Sequence, residues 1–286
     1  MSKIQKSLDY NKLKEQQEKG KLLKKQLKFP LIAQIKFDGA YTVIEVDKDY
    51  KVTYHTSGGL QYTLPETPEY IDSLKPGFYI AERIMNGGKL GTRRFTALTG
   101  PKTNQHANIN SQFRIHDYLT IDEYNSGKAR LSCVRRYQHL ATIPAIIRVD
   151  NFIMHNLTDI EAFLDIAVRQ GYEGIMLKDP EWLWKDTKSR NIECAKYKKR
   201  PTADLLCIDT ERGEGKYEGM IGSLVLQDSQ GRIVKVGSGL SDRHREANPR
   251  DFIDKVIEIE YEQIIDTYIQ PTFIQLRTDK TKEDID

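Results

Sequence analysis

From Leu31 onward the apolar residues of this chain recur with a period of two, in short runs interrupted by turn residues. That period restricts the fold more than any other feature. Side chains that alternate between two faces belong to strands, and an amphipathic helix needs a period near 3.6. In the first run Leu31, Ala33, Ile35 and Phe37 share one face, and Ile32, Gln34, Lys36 and Asp38 share the other. Residues 41–46 and 51–56 follow as strands joined by the turn Asp47-Lys48-Asp49. Residues 78–84, 113–119 and 174–178 read as strands too.

Helical signals are fewer. Residues 3–28 predict a lysine-rich helix with Leu13, Leu22, Leu23 and Leu27, interrupted at Gly20 and ended by Pro30. Thr158-Asp159-Ile160-Glu161 reads as a capping box. Ile160, Phe163, Leu164, Ala167 and Val168 continue it as an apolar stripe that Gly171 closes. Residues 83–112 are polar and contain glycines, a loop long enough to be functional. Past Arg200-Pro201 the pattern becomes all-β, with strands expected at 204–210, 222–227, 232–236 and 255–263. So many short strands in so few residues fit a small closed barrel such as an OB-fold. The expected class is α+β: residues 1–200 carry antiparallel sheets with flanking helices, and residues 201–286 carry the barrel.

Composition narrows the partners. At 30% charged and 38% hydrophobic residues the 286-residue chain has a soluble globular balance. It shows no apolar run of bilayer-spanning length and no secretory leader, so a cytoplasmic location is expected. Cys133, Cys194 and Cys207 lack paired zinc-ligand spacing and read as reduced, structural thiols. A net charge of +3 does not by itself demand a nucleic-acid partner. Basic residues nevertheless crowd the N-terminal segment and residues 83–102, 185–200 and 243–250, the footprint of a surface that meets a phosphate backbone.

Lys36 ends the first strand in Lys36-Phe37-Asp38-Gly39. A lysine amine forms covalent intermediates when neighbouring cations or burial suppress its charge. The tetrapeptide alone is common, and its weight comes from the ordered motifs downstream of it. Thr56-Ser57-Gly58-Gly59, Phe78-Tyr79-Ile80-Ala81-Glu82 and Phe113-Arg114-Ile115-His116-Asp117 come next. Glu173-Gly174-Ile175-Met176-Leu177-Lys178, Lys196-Tyr197-Lys198 and Leu276-Arg277-Thr278-Asp279-Lys280 complete the series. Together these motifs, spanning residues 31–280, resemble those of ATP-dependent DNA ligases in their minimal two-domain form, within the covalent nucleotidyltransferase superfamily.

That resemblance implies a nucleotidyltransferase (adenylation) domain followed by an OB-fold domain, with ATP as cosubstrate, Mg²⁺ as metal and nicked duplex DNA as partner of a monomer. It implies that Lys36 takes AMP from ATP while Lys196 and Lys198 hold the α-phosphate. Glu82 and Glu173 would bind ribose or metal, and His116 would stack on adenine. Gln34, with the Ile35 carbonyl, would read the adenine edge. Asp38, Arg277, Asp279 and Lys280 complete the catalytic set, with Arg277 and Lys280 over the leaving pyrophosphate and a hinge near residues 199–202. Three positions depart from the family pattern: Tyr41 and Thr56 stand where arginines are usual, and His116 stands for a larger aromatic. Arg83, Arg93 and Arg94 are candidate substitutes for the arginines. The rival readings are an RNA ligase, a GTP-dependent capping nucleotidyltransferase and a silent OB-fold binding protein. Gln34 and the turn from Gly215 to Gly222 weigh against the capping enzyme; an intact Lys36, Glu173, Lys196 and Lys198 weigh against the silent protein.

Overall fold

The computed structural model describes residues 3, 5–11, 13, 28–66, 68–101 and 103–286. The chain forms two compact units, Met1–Lys199 and Arg200–Asp286. The strands of the first unit are β1 (Gln5–Asp9), β2 (Leu31–Lys36), β3 (Ala40–Val46), β4 (Val52–Thr56), β5 (Gln61–Thr63) and β6 (Gly77–Ile84). They continue as β7 (Gln105–His106), β8 (Gln112–Leu119), β9 (Phe152–Met154), β10 (Gly174–Lys178) and β11 (Thr187–Tyr197). Helices that accompany them among the described residues include α1 (Ile121–Ser126), α2 (Cys133–His139) and α3 (Leu157–Arg169).

Two sheets result, with orders β1-β11-β10-β2-β9 and β7-β5-β4-β3-β6-β8. Pairing is antiparallel except for β1 on β11 and β7 on β5. The fold is mixed α+β. Strand β2 sits inside its sheet with both faces covered, which its alternation did not require. Leu31 and Ala33 pack with Ile160, Leu164 and Ala167 of α3. Ile32 packs the other way, with Val43, Phe78, Ile80 and Leu119 of the second sheet. The far face of that second sheet buries Ile44, Tyr79, Phe113 and Ile115 against Leu140, Ile143 and Ile147. The end of β2 therefore lies between two cores, where a charged side chain needs partners.

Three local expectations change. The N-terminal stretch 3–28 does not begin as a helix: Gln5–Asp9 is a strand, held by parallel pairing to β11, and helical backbone follows at Tyr10, Asn11 and Leu13. Residues 4, 12 and 14–27 of that expectation lie outside the described residues. Helix α3 is capped two residues earlier than expected, by Asn156, whose Oδ1 accepts from Asp159 N at 2.9 Å. Asparagine caps at least as well as threonine, so Thr158 falls inside the first turn. Finally, residues 187–197 read as a basic run and form an 11-residue strand.

The second unit holds β12 (Thr202–Arg212), β13 (Ile221–Gln227), β14 (Ile233–Val236) and β15 (Val256–Glu260). Strands β16 (Gln263–Ile264), β17 (Tyr268–Ile269) and β18 (Thr272–Arg277) follow, with α4 (Asp242–Glu246) between β14 and β15. The order β14-β13-β12-β15-β18 gives a five-stranded antiparallel sheet around one core that includes Leu205, Leu224, Val236, Ile257 and Phe273. The expected run 255–263 divides after Glu260, and β18 is an additional strand. Among the described residues no helix is long and apolar enough to cross a membrane. Cys133, Cys194 and Cys207 are buried and unbridged.

Candidate active site

Sheet register assembles the site. Antiparallel β2 and β10 set Lys36 opposite Gly174, and β10 and β11 set Ile175 opposite Tyr197. The residue at the end of β2, the first residue of β10 and the residue just past β11 therefore lie in one row. Gly174 makes that convergence possible. A Cβ on it would lie 2.3 Å from the Tyr197 carbonyl oxygen, and its φ of +151° disfavours a side chain. Glu173, one residue earlier, turns its carboxylate along this row. Its Oε2 accepts from Lys36 Nζ and its Oε1 pairs with Lys198 Nζ.

Burial pushes the Glu173 carboxyl up, but the Lys36 and Lys198 ammonium groups outweigh it and hold the group below the usual carboxylate range. Lys196, two residues before Lys198 and so on the same side of the chain, has Asp9 Oδ2 of β1 at 4.0 Å. Its amine is lowered, by burial first and then by the Lys198 charge, with Asp9 opposing. Asn11 binds the same edge, its Nδ2 donating to the Lys198 carbonyl at 2.9 Å. The N-terminal strand thus belongs to the wall of this site.

Glu82 faces the same charges from β6. Burial leads in pushing its carboxyl up to about 7; Glu173 and Asp38 add to the shift, while Lys36 and Arg93 oppose it. Its shift is thus opposite in direction to that of Glu173. Gly39 admits this approach: a Cβ there would meet the Arg83 carbonyl at 2.5 Å and Glu82 Cγ at 2.8 Å.

Behind Lys36 lies a cavity of about 210 Å³ whose lining includes Gln34, Lys36, Glu82, His116, Met176 and Trp182. Gln34 is buried, and its Nε2 donates to Asn151 Oδ1 at 2.6 Å, so the amide's donor side is committed to a protein partner. His116 lies on the wall with its pKa pushed down to about 3, by burial first and then by Lys178, so it stays a neutral imidazole. Its Nδ1 and the Trp182 Nε1 are buried without a hydrogen-bond partner among the described residues. Asp117 is separately occupied. Arg136 grips it with Nε at 2.8 Å and Nη2 at 2.9 Å, a buried ion pair at the back of the pocket.

Asp38 does not point at the Lys36 amine. Its Oδ2 accepts from Gly91 N at 2.7 Å, its N donates to Gly88 O at 2.9 Å, and its O accepts from Thr92 Oγ1 at 3.1 Å. It fastens the turn 88–93 to the nucleophile loop, a positioning role. That turn belongs to the long 83–112 segment, which also holds short 3₁₀ turns and β7.

The positions that depart from the family pattern resolve into ordinary structure. The Tyr41 hydroxyl donates to the Lys3 carbonyl at 3.3 Å, and Thr56 Oγ1 accepts from Leu60 N at 3.1 Å to close a turn. Arg83 cannot replace a missing arginine. Its guanidinium is buried, donating to Ser111 Oγ at 3.1 Å and to the Thr96 carbonyl. Arg94 lies over the Phe95 ring, and Arg93 is exposed beside Glu82. Asn151, Trp182, Asp9 and Asn11 are parts of the site with no sequence signal, since each reaches it from a distant element.

Arg277, Asp279 and Lys280 form a second group, within the second unit. Arg277 Nε and Nη2 grip Asp279 at 2.9 and 2.7 Å.

A family model described as an ATP dependent DNA ligase domain matches residues 13–198, and one described as a DNA ligase OB-like domain matches residues 212–274. The DNA ligase of Enterobacteria phage T4 is 28% identical over 196 residues, covering 60% of this chain and 40% of that protein. DNA ligase B of Mycobacterium tuberculosis is 32% identical over 108 residues, covering 36% of this chain and 21% of that protein. The chain thus spans less than half the length of these curated relatives. Among solved structures, "Pmar-Lig_Pre." superposes with a TM-score of 0.74 at 16% identity, covering 97% of this chain and 68% of that one. A structure from an analysis of Lig E DNA ligases gives 0.64 at 17%, covering 97% of this chain and all of that one. At these identities the structural likeness concerns the fold.

Proposed function

The chain belongs to the ATP-dependent DNA ligase family, and from that premise we propose that it seals nicks in duplex DNA through a lysyl-AMP intermediate on Lys36. The observation that carries this reading is the single carboxylate of Glu173 joining Lys36 and Lys198 at the mouth of the cavity. In the first step the Lys36 nitrogen forms a bond to the α-phosphorus of ATP and the bond to the β-phosphate oxygen breaks. The proton shed by Lys36 has Glu173 Oε2 in hydrogen-bond reach. Lys196 and Lys198 hold the α-phosphate oxygens, where charge accumulates. Arg277 and Lys280 of the second unit meet the departing pyrophosphate. AMP then passes to the 5′-phosphate of a nick, and attack by the 3′-hydroxyl joins the strands and releases AMP.

The adenine enters the cavity against His116, with Gln34 and the Ile35 carbonyl at its edge. Because the Gln34 amide nitrogen is already bonded to Asn151, it is the Gln34 carbonyl that would face the adenine amine. Magnesium takes one or two carboxylates together with waters and substrate phosphates, and the mutually repelling pair Glu82 and Glu173 is a donor set of that kind. Bound there, the ion would offset charge on the polyphosphate.

In this reading residues 1–200 adenylate, residues 201–286 supply the clamp on the leaving group, and the chain acts as a monomer. The test is incubation with magnesium and α-labelled ATP, GTP or NAD, followed by denaturing electrophoresis. ATP should label the protein and Lys36→Ala should abolish the label. Labelling by GTP alone would sink the reading, and nicked RNA sealed in preference to nicked DNA would reassign the substrate.

A further inference from the structure

Asp204 belongs to none of the motifs, yet its carboxylate holds two residues of the last one. It lies on β12, opposite Glu258 of β15, which in turn lies opposite Gln275 of β18. Gln275 Nε2 donates to Glu258 Oε2 at 2.7 Å, so these side chains share one face of the sheet, and Arg277 follows two residues later on that face. There Arg277 Nη1 donates to Asp204 Oδ1 and Oδ2, each at 3.2 Å, and Lys280 Nζ donates to Oδ2 at 2.6 Å. Asp204 is 7% exposed, and its backbone is fixed independently of its side chain. Its N donates to Asp286 Oδ2 at 2.6 Å and its O accepts from Asp286 N at 2.9 Å.

We propose that Asp204 is the positioning residue of the pyrophosphate clamp, one carboxylate that sets Arg277 and Lys280 side by side so that they act as a unit on the leaving group. The proposal rests on the reading of those two cations as the groups that meet pyrophosphate.

Donor accounting supports it. Arg277 spends Nε and one Nη2 hydrogen on Asp279, while its Nη1 faces both Asp204 oxygens at 3.2 Å and Glu258 Oε2 at 3.7 Å, which leaves one Nη2 hydrogen. Lys280 spends one hydrogen on Asp204 and keeps two. Three donors on two cations anchored to a common carboxylate are thus available to two phosphoryl groups. Without the anchor, a flexible lysine and arginine would each have to be ordered as the substrate binds. A carboxylate that positions the clamp matters when pyrophosphate leaves and is idle when a nick already carries AMP.

The experiment compares wild type with Asp204→Ala, Asp204→Asn and Asp204→Glu in the full chain. Three rates are read: lysyl-AMP formation from ATP, its reversal by added pyrophosphate, and sealing of a pre-adenylated nick without ATP. Asp204→Ala should slow the first two by about tenfold or more, as loss of a charge-assisted hydrogen bond does, and leave the third within about twofold. Asp204→Asn, which keeps the shape and one acceptor, should fall between them, and Asp204→Glu should recover part of the loss. In an Arg277→Ala background, Asp204→Ala should add little, because the anchored pair is already broken.

Equal loss in all three rates would mean a merely structural residue, and unchanged rates would mean an idle one. Faster adenylation, or reversal at lower pyrophosphate, would mean that the carboxylate restrains the cations. Each of these overturns the proposal. A wild-type protein that takes no label from ATP would instead remove the parent reading.

Discussion

Among the described residues one carboxylate joins two cations in both units, and the two instances differ in their surroundings. In the first unit Glu173 joins Lys36 and Lys198, with Lys196 adding a third cation and Asp9 a second acid at 4.0 Å. Glu82, pushed up to about 7, contributes only part of a charge. The group keeps a positive surplus and is lined up with a cavity. In the second unit Asp204 joins Arg277 and Lys280, while Asp279 at 2.7 Å and Glu258 at 3.7 Å add two further acids. That group is more than neutralised by its own neighbours. The first arrangement is built to receive an anion and keep it through a covalent step. The second holds cations in place without binding an anion strongly, which suits a group that must let pyrophosphate go.

The comparison breaks most readily at Glu173. Glu173→Gln leaves two ammonium groups in a buried site without their shared counter-charge, a loss of roughly 3 kcal/mol or more. Adenylation should fall by more than about 100-fold, and the first unit should melt earlier. A loss in Glu173→Gln no greater than in Asp204→Ala, measured by label incorporation and by thermal melting, would erase the distinction between the two groups.

Much of the first group is legible in the sequence because its residues sit on strands with a plain period. Lys36 ends an alternating run, and Lys196 and Lys198 are two apart at the end of another strand. The second group is legible only by resemblance, and Asp204 not at all. A carboxylate opposite Glu258 on a neighbouring strand announces itself only when sheet register is known. Asn151 and Trp182 are hidden for the same reason, since Asn151 reaches Gln34 and Trp182 reaches the cavity from segments with no period of their own. The strand β11 is obscured because a run rich in lysine and arginine looks like a solvated surface, whereas here pairing with β10 and β1 overrides composition. Asp38 is read as part of the catalytic set from its place beside the nucleophile, while its contacts to the backbone of the 88–93 turn appear only in the structure.

That turn yields the next prediction. Asp38→Ala removes the acceptor for Gly91 N and loosens the segment that carries Arg93. Label transfer from ATP should fall about tenfold, with less than about 1.5 kcal/mol of stability lost. Loss to the level of Lys36→Ala would mean that Asp38 acts on the substrate directly, and the first group would then need another acid in its charge count.

Glu82 sharpens the charge comparison through pH. Its folded pKa of about 7 lies above the ordinary carboxylate value, so between roughly pH 4.5 and 7 the unfolded chain has released a proton that the folded chain keeps. Stability contributed by this group therefore falls as pH rises through that window. Glu82→Gln should be stabilising at pH 8, on the order of 1–3 kcal/mol, and neutral near pH 4. If the carboxylate also serves the metal, wild-type adenylation should climb up to about pH 7, and the variant should be slow and lose that rise. A variant melting in parallel with wild type at every pH would show that the first group has no partly neutral acid.

His116 gives the smallest effect and the opposite sign. Its folded pKa of about 3 lies below the ordinary imidazole value, so between pH 6.5 and 3 the unfolded chain binds a proton that the folded chain refuses. Stability is lost as pH falls through that window. His116→Phe fills a similar volume, removes the titration and relieves the orphaned Nδ1. It should match wild type at pH 8 to within about 1 kcal/mol and exceed it at pH 5. If the ring serves mainly as a stacking face, ATP labelling in the variant should hold or improve at pH 8. If labelling collapses while melting is unchanged, Nδ1 is used by the bound base, and the cavity reads its ligand through the imidazole as well as through Gln34.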